Sequence, residues 1–297
     1  MLRRELLLGA AGALATASCQ KRAEWPRAIA SLEGSGRLGV AVVDVGTGAV
    51  EGHRLDERFS MCSTFKLVLA AMVMTRAEQG KAVDLLDAPV PLTRADLVTY
   101  SPVVEPLFTP KDGPPRDVVT LTLADLAHAA QTTSDNTAAN KLLAHYGGPA
   151  AFTAFCRENG DDVTRLDRVE TEMNDVATGD ERDTTTPRAY ATLVARLLGG
   201  RGLGSTMRDS LLEWMIATET GKKRLRAGFP AEARAGDKTG TSVGAGYTGR
   251  LNDVAWVELP GRSPMVVAAY YDTMAERDDV LDTDQAVLAE VGRIVTR

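Results

Sequence analysis

Strand-type segments stand at both ends of this chain, and helix-type segments fill its middle. Near the start, "RLGVAVVDV" (37–45) is apolar and β-branched, "GTG" follows, and "AVEGHR" continues, the pattern of a β-hairpin. Near the end, "DVAWVEL" (253–259) and "PMVVAAYYD" (264–272) read as strands, and "DTDQAVLAEVGRIVTR" (282–297) as an amphipathic helix. Between them, "LTLADLAHAAQ" (121–131) carries helical spacing with Thr122 as its cap. "TPRAYATLVARLLGG" (186–200) has Pro187 near its start and glycines at its end. The economical solution is one antiparallel sheet built from both termini, with terminal helices packed on it and the central helices forming a second lobe. Residues 20–60 together with 216–297 would make the sheet domain, and residues 61–215 the helical one. A cleft between two such lobes is a usual place for a site.

The first residues stand apart. "MLRRELLLGAAGALATASC" puts two arginines before an apolar run of small residues that is too short to span a bilayer. It reads as an export leader over residues 1–19. "RRELL" resembles a twin-arginine signal, and "ATA" offers a cleavage site after Ala17. Cys19 is an alternative, as a lipid-attachment cysteine, although Thr16 fits that signal poorly. An exported, periplasmic protein follows. The net charge of −6 and the 5% aromatic content speak against a nucleic-acid surface. Only Cys62 and Cys156 remain beyond the leader; both are expected free and buried. The three histidines, His53, His128 and His145, lack metal-ligand spacing, so neither a zinc site nor a Ser-His-Asp triad is expected.

Chemistry enters at "SMCSTFKLVLAAMVM" (60–74). After Phe65 nearly every residue is apolar, and Lys66 is the exception. A buried ammonium is costly unless it has a partner or a task. On a helix starting near Ser63, residues i and i+3 share a face, so the Ser63 hydroxyl and the Lys66 amine meet. Serine is a weak nucleophile until a base takes its proton, and burial lowers a lysine pKa toward that use. Alone, S-x-x-K is a common accident. Two further motifs, "SDN" (134–136) and "KTGT" (238–241), follow after about seventy and then about a hundred residues.

Serine-x-x-lysine, SDN and KTG in this order are the signature of the penicillin-recognising serine enzymes. The chain resembles class A serine β-lactamases over essentially its whole length beyond the leader. The resemblance implies an α+β fold with an antiparallel five-stranded sheet flanked by helices, plus an all-helical lobe. It implies hydrolysis of β-lactams through a serine acyl-enzyme, no cofactor, and a monomer. By the same resemblance Ser63 is the nucleophile and Lys66 its base or proton relay. Ser134 passes a proton to the lactam nitrogen, and Lys238 supplies positive charge beside it. The backbone N–H groups of Ser63 and Thr241 form an oxyanion hole. Asn136 bonds the substrate side-chain amide. Thr239, Gly240 and Thr241 line the carboxylate site, Arg224 matches a carboxylate-binding arginine, and Tyr100 an aromatic at the rim.

The hydrolytic branch needs a second base for water. "LDRVETEMND" supplies Glu170, with Asn174 four residues on, the family pattern for the general base and its partner. Residues 168–183 are aperiodic and suit an Ω-loop, with Arg168 and Asp183 pairing across its neck. Many relatives carry proline after the glutamate, joined by a cis bond. Thr171 stands there in this chain, and the Glu170–Thr171 bond is nonetheless expected to be cis. In some carbapenem-hydrolysing relatives a cysteine matching Cys62 bridges to one just past KTG. Ser242 occupies that place, so the bridge is not expected. A D,D-peptidase or a non-hydrolytic penicillin-binding sensor shares the trio but not the Glu170–Asn174 loop.

Overall fold

The computed structural model describes residues 25–80 and 86–297; the leader lies outside the described residues. After helix α1 (25–30) come β1 (Arg37–Asp44), β2 (Val50–His53), the two-residue β3 (Phe59–Ser60) and helix α2 (Phe65–Gln79). β4 (Pro89–Thr93), α3 (Glu105–Phe108) and β5 (Val118–Thr122) lead to α4 (Leu123–Thr132), α5 (Asn136–Tyr146) and α6 (Gly148–Glu158). β6 (Thr184–Thr185), α7 (Pro187–Arg196), α8 (Ser205–Ile216) and α9 (Leu225–Gly228) follow. β7 (Arg234–Ser242), β8 (Gly244–Glu258), β9 (Met265–Arg277) and α10 (Asp282–Val295) close the chain.

The expected sheet forms from both termini. Five strands lie in the order β2-β1-β9-β8-β7, every neighbouring pair antiparallel. Its three central strands, β1, β9 and β8, are apolar on both faces because both faces are covered. Leu38 and Val40 of β1, Val267 and Ala269 of β9, and Ala255 and Val257 of β8 pack with Leu288 and Val291 of α10. Their chain neighbours Ala41, Val43, Val266, Ala268, Val254 and Trp256 point the other way, into the core shared with α2 and α7. This period of two is the strand's own geometry. α2 is buried along nearly its whole length, as its unbroken apolar sequence requires. Thr122 caps α4, accepting from Asp125 N–H in a reciprocal capping box.

Three local features bring remote segments to one place. The turn Cys62–Thr64 is a 3₁₀ turn running straight into α2, so the helix proper starts two residues after Ser63. Asn252 of β8 grips this turn, its Nδ2 donating to the carbonyls of Ser60 (2.8 Å) and Met61 (3.2 Å). Gly240 lets the edge strand β7 lie against it: a Cβ there would sit 2.6 Å from Met61 O and 3.1 Å from Cys62 Cβ. KTG lies inside β7, whose first residue, Arg234, is four residues before Lys238.

The loop of residues 168–183 is pinned at its neck as expected. Arg168 Nε donates to Asp183 Oδ2 at 2.6 Å, and Asp183 Oδ1 accepts the N–H groups of Asp167 (2.7 Å) and Arg168 (3.0 Å). Buried Met173 and Val176 turn inward, and Arg250 of β8 donates to the carbonyls of Asn174 (2.7 Å) and Val176. The Glu170–Thr171 bond is cis, as expected. Cys62 and Cys156 are both free and buried. Burial pushes the Cys62 thiol up to about 11, so it stays protonated and inert.

Candidate active site

The Ser63 hydroxyl lies at the centre of a buried polar cluster. It accepts from Lys66 Nζ at 2.9 Å and donates to Glu170 Oε1 at 2.7 Å. Lys66 and Glu170 also face each other at 3.0 Å, both side chains fully buried. Lys66 Nζ further reaches Ser134 O (2.8 Å), Ser134 Oγ (3.4 Å) and Asn136 Oδ1. An ammonium has three protons, so these acceptors must share them. Burial draws the Lys66 pKa down against the opposing charge of Glu170. Burial alone would raise Glu170, but Lys66, Ser63 and Asn174 outweigh it and hold the carboxyl below its usual range. The pair is therefore an ionised carboxylate beside an amine made easier to deprotonate, with one serine proton between them.

Ser134 arrives from the other side. It takes a left-handed backbone (φ 63°) between α4 and α5, and Asp135 caps α5 by accepting from Ala138 N–H at 2.9 Å. The second Asp135 oxygen accepts from Val103 N–H and Val104 N–H, both at 3.0 Å. Asn136 N–H donates to Tyr100 O at 3.0 Å, and its Nδ2 to Thr99 O at 2.8 Å. The SDN turn is thus stitched to the rim loop that presents Tyr100, whose side chain is exposed. Lys238 of β7 donates to Ser134 Oγ at 3.0 Å and to Thr239 O at 2.9 Å. Burial, and then the nearby Lys66, lower its pKa well below the usual lysine range.

Arg224 is buried rather than solvated beside Lys222 and Lys223. Its Nη1 donates to Gly240 O (2.9 Å) and Asn252 O (2.8 Å), and its Nη2 to Thr241 Oγ1 at 2.7 Å. It reaches the cleft through the Thr241 hydroxyl, while the Thr239 hydroxyl pairs with that of Thr220 at 2.7 Å. Asn174 Nδ2 donates to Glu170 Oε2 at 2.7 Å, and its Oδ1 is a buried acceptor with no protein donor. Among the described residues, no group of His, Cys, Asp and Glu could hold a metal ion.

One member escaped the sequence reading. Asn140, one turn along α5 from Asn136, clamps the Glu170 backbone. Its Oδ1 accepts Glu170 N–H at 2.9 Å, and its Nδ2 donates to Glu170 O at 2.7 Å. The spacing N-x-x-x-N was the available signal. Asn140→Ala removes both bonds, worth about 1 kcal/mol each. It is expected to lower kcat by roughly 10²-fold through misplacement of the carboxylate, with acylation measured by stopped flow less affected. An unchanged kcat would remove Asn140 from the positioning of Glu170.

The pattern of the Beta-lactamase enzyme family matches residues 25–297, and the chain belongs to that family. It is similar to Beta-lactamase L2 of Stenotrophomonas maltophilia, with 46% identity over 88% of this chain and 81% of that one. It is also similar to the Carbapenem-hydrolyzing beta-lactamase KPC of Klebsiella oxytoca, with 40% identity over 96% and 91%. An ancestral class A β-lactamase of Gram-negative bacteria superposes with a TM-score of 0.81 at 50% identity, covering 92% of this chain and 98% of that one.

Proposed function

We propose that this protein opens the lactam ring of penicillins and cephalosporins through an acyl-enzyme on Ser63 and releases the product with water activated by Glu170, so conferring β-lactam resistance. The observation that carries the reading is Ser63 Oγ held between Lys66 Nζ and Glu170 Oε1. The serine proton passes to the Lys66–Glu170 pair as Oγ attacks the lactam carbonyl. The oxyanion is bound by the N–H groups of Ser63 and Thr241. As the C–N bond breaks, Ser134 gives its proton to the lactam nitrogen and is resupplied through the neighbouring lysines. Lys238, Thr239, Gly240 and Thr241, with Arg224 behind Thr241, bind the substrate carboxylate, and Asn136 and Tyr100 border the side chain.

Deacylation uses the other Glu170 oxygen. Asn174 orients it and offers its free Oδ1, so a water between them is aligned for attack on the ester, its proton going to Glu170; as the acyl C–Oγ bond breaks, Ser63 Oγ regains a proton from the Lys66–Glu170 pair beside it. The site sits in the cleft between the sheet domain of residues 20–60 with 216–297 and the helical domain of residues 61–215. The leader directs the chain to the periplasm, cleaved after Ala17 or anchored at Cys19; the mass of the exported chain distinguishes these from retention of the whole leader. Mixing the protein with a chromogenic cephalosporin tests the activity. Many turnovers per molecule are expected; a single stoichiometric burst would favour the D,D-peptidase or sensor instead.

A further inference from the structure

One register line across the sheet joins Arg37 of β1, Asp272 of β9, Arg250 of β8 and Ser242 of β7. Directly paired residues share a face. Leu251, next to Arg250, belongs to the core under α10, so Arg250 faces the other way. Asn252 shares that face and grips the turn that carries Ser63. Arg37 stays on the sheet, donating to Asp272 Oδ2 from Nη2 at 2.6 Å and lying over the Phe59 ring. Arg250 instead reaches out to the loop of residues 168–183. Its Nη1 donates to Asn174 O at 2.7 Å, and its Nη2 to Val176 O. A planar guanidinium offers donors at a fixed spacing, which suits two carbonyls of one short turn. Its charge also acts on the Cys62 thiol, directly before Ser63 in the chain.

We infer that Arg250 is a positioning residue for deacylation: it fixes the backbone of Asn174, and through it the Asn174 side chain, the second Glu170 oxygen and the water between them. Asn174 Nδ2 donates to Glu170 Oε2 at 2.7 Å, and its Oδ1 is a buried acceptor with no protein donor. The turn that carries this side chain is closed by three bonds. Met173 N–H donates to Val169 O (3.0 Å), Asn174 N–H to Thr171 O (3.1 Å) and Asp175 N–H to Glu172 O (3.1 Å). A single 3₁₀ turn has poor hydrogen-bond geometry and gains from outside support. Asn140 supports it at Glu170, and Arg250 supports it at the far end. Acylation depends on Ser63, Lys66, Ser134 and the first Glu170 oxygen, which are held by one another. Loss of Arg250 should therefore separate the two half-reactions.

The inference rests on the β-lactam reading for its kinetic arm and on the hydrogen bonds alone for its exchange arm. Arg250→Met keeps the unbranched apolar stem and removes the guanidinium. Deacylation of a penicillin acyl-enzyme should slow roughly tenfold, within the 10²-fold that a 1 Å misplacement costs. The acylation rate constant should stay at the parental value. A burst should appear, with kcat and KM falling together and kcat/KM unchanged. Arg250→Lys keeps a point charge without the fork and should recover part of the lost rate. Asn174→Ala should slow deacylation as well, and adding Arg250→Met to it should cost little more, because the two act along one path. In the exchange arm, the amides of residues 173–175 should exchange roughly tenfold faster in Arg250→Met. The Tyr190 N–H, bonded to Thr186 O at 3.0 Å in α7, should keep its parental rate.

Parental deacylation in Arg250→Met, or equal slowing of both steps, would overturn the inference. Unchanged exchange at residues 173–175 would also overturn it, as would full multiplication of the two single effects in the double variant. A wild type that forms no acyl-enzyme would count against the β-lactam reading itself. The exchange arm then decides whether Arg250 holds the turn, faster exchange upholding that contact and parental exchange overturning it. If Arg250→Met fails to fold, Arg250→Lys answers by the same measurements. Slowed deacylation with parental acylation supports the inference; parental rates for both steps overturn it.

Discussion

Ser63→Ala is expected to lower kcat by about 10⁶-fold toward a chromogenic cephalosporin, the order seen when a covalent nucleophile is removed. The substitution deletes one oxygen from a site whose other contacts survive. Lys66 keeps Glu170 at 3.0 Å and the Ser134 carbonyl at 2.8 Å, so neither buried charge is orphaned. The fold should therefore persist, with an unfolding midpoint close to the parent. Substrate should still bind through the groups of β7, and no covalent adduct should appear. A variant that folds and retains substantial turnover would place the nucleophile elsewhere.

Glu170→Gln is expected to split the reaction in two. The amide keeps the shape of the side chain but takes no proton, and general-base catalysis is worth about 10²–10⁴-fold. Deacylation should fall by that factor. Acylation should fall far less, because the negative charge of Glu170 holds the Lys66 pKa up, and its removal drives the buried amine further toward the neutral, basic form. Stopped-flow traces should show a burst of one equivalent followed by a slow phase. kcat and KM should fall together, with kcat/KM much less changed, the pattern of a late step made limiting. Equal loss of acylation and deacylation would mean that Lys66 cannot act without the carboxylate.

The parts of the site that were legible in the sequence are those written in short local spacings. Ser63 and Lys66 meet because one helical turn separates them. Glu170 and Asn174 meet because a 3₁₀ turn over Glu172–Asn174 brings them together. Arg168 and Asp183 were readable as a pair because they bound one aperiodic segment. The sheet was legible because its inner strands β1, β8 and β9 carry continuous apolar, β-branched runs near the two ends of the chain. Residues whose function depends on where a distant strand returns were harder. Arg224 was singled out by resemblance alone, and nothing in its local spacing shows its burial, which comes from the carbonyls of β7 and β8 that meet over it. Asn252 and Arg250 lie far along the chain from the turn and loop they hold, and no spacing announces those contacts. Asn140 acts on the backbone of Glu170, an interaction that side-chain motifs do not encode.

The central claim is that one serine carries the acyl group and one glutamate is needed to remove it. Intact-protein mass spectrometry of Glu170→Ala mixed with excess penicillin tests it most directly. The account predicts a single, persistent mass increase equal to one substrate molecule, mapped by peptide fragmentation to Ser63. An unmodified protein that still consumes penicillin at the parental rate, or an adduct on any other side chain, would contradict it.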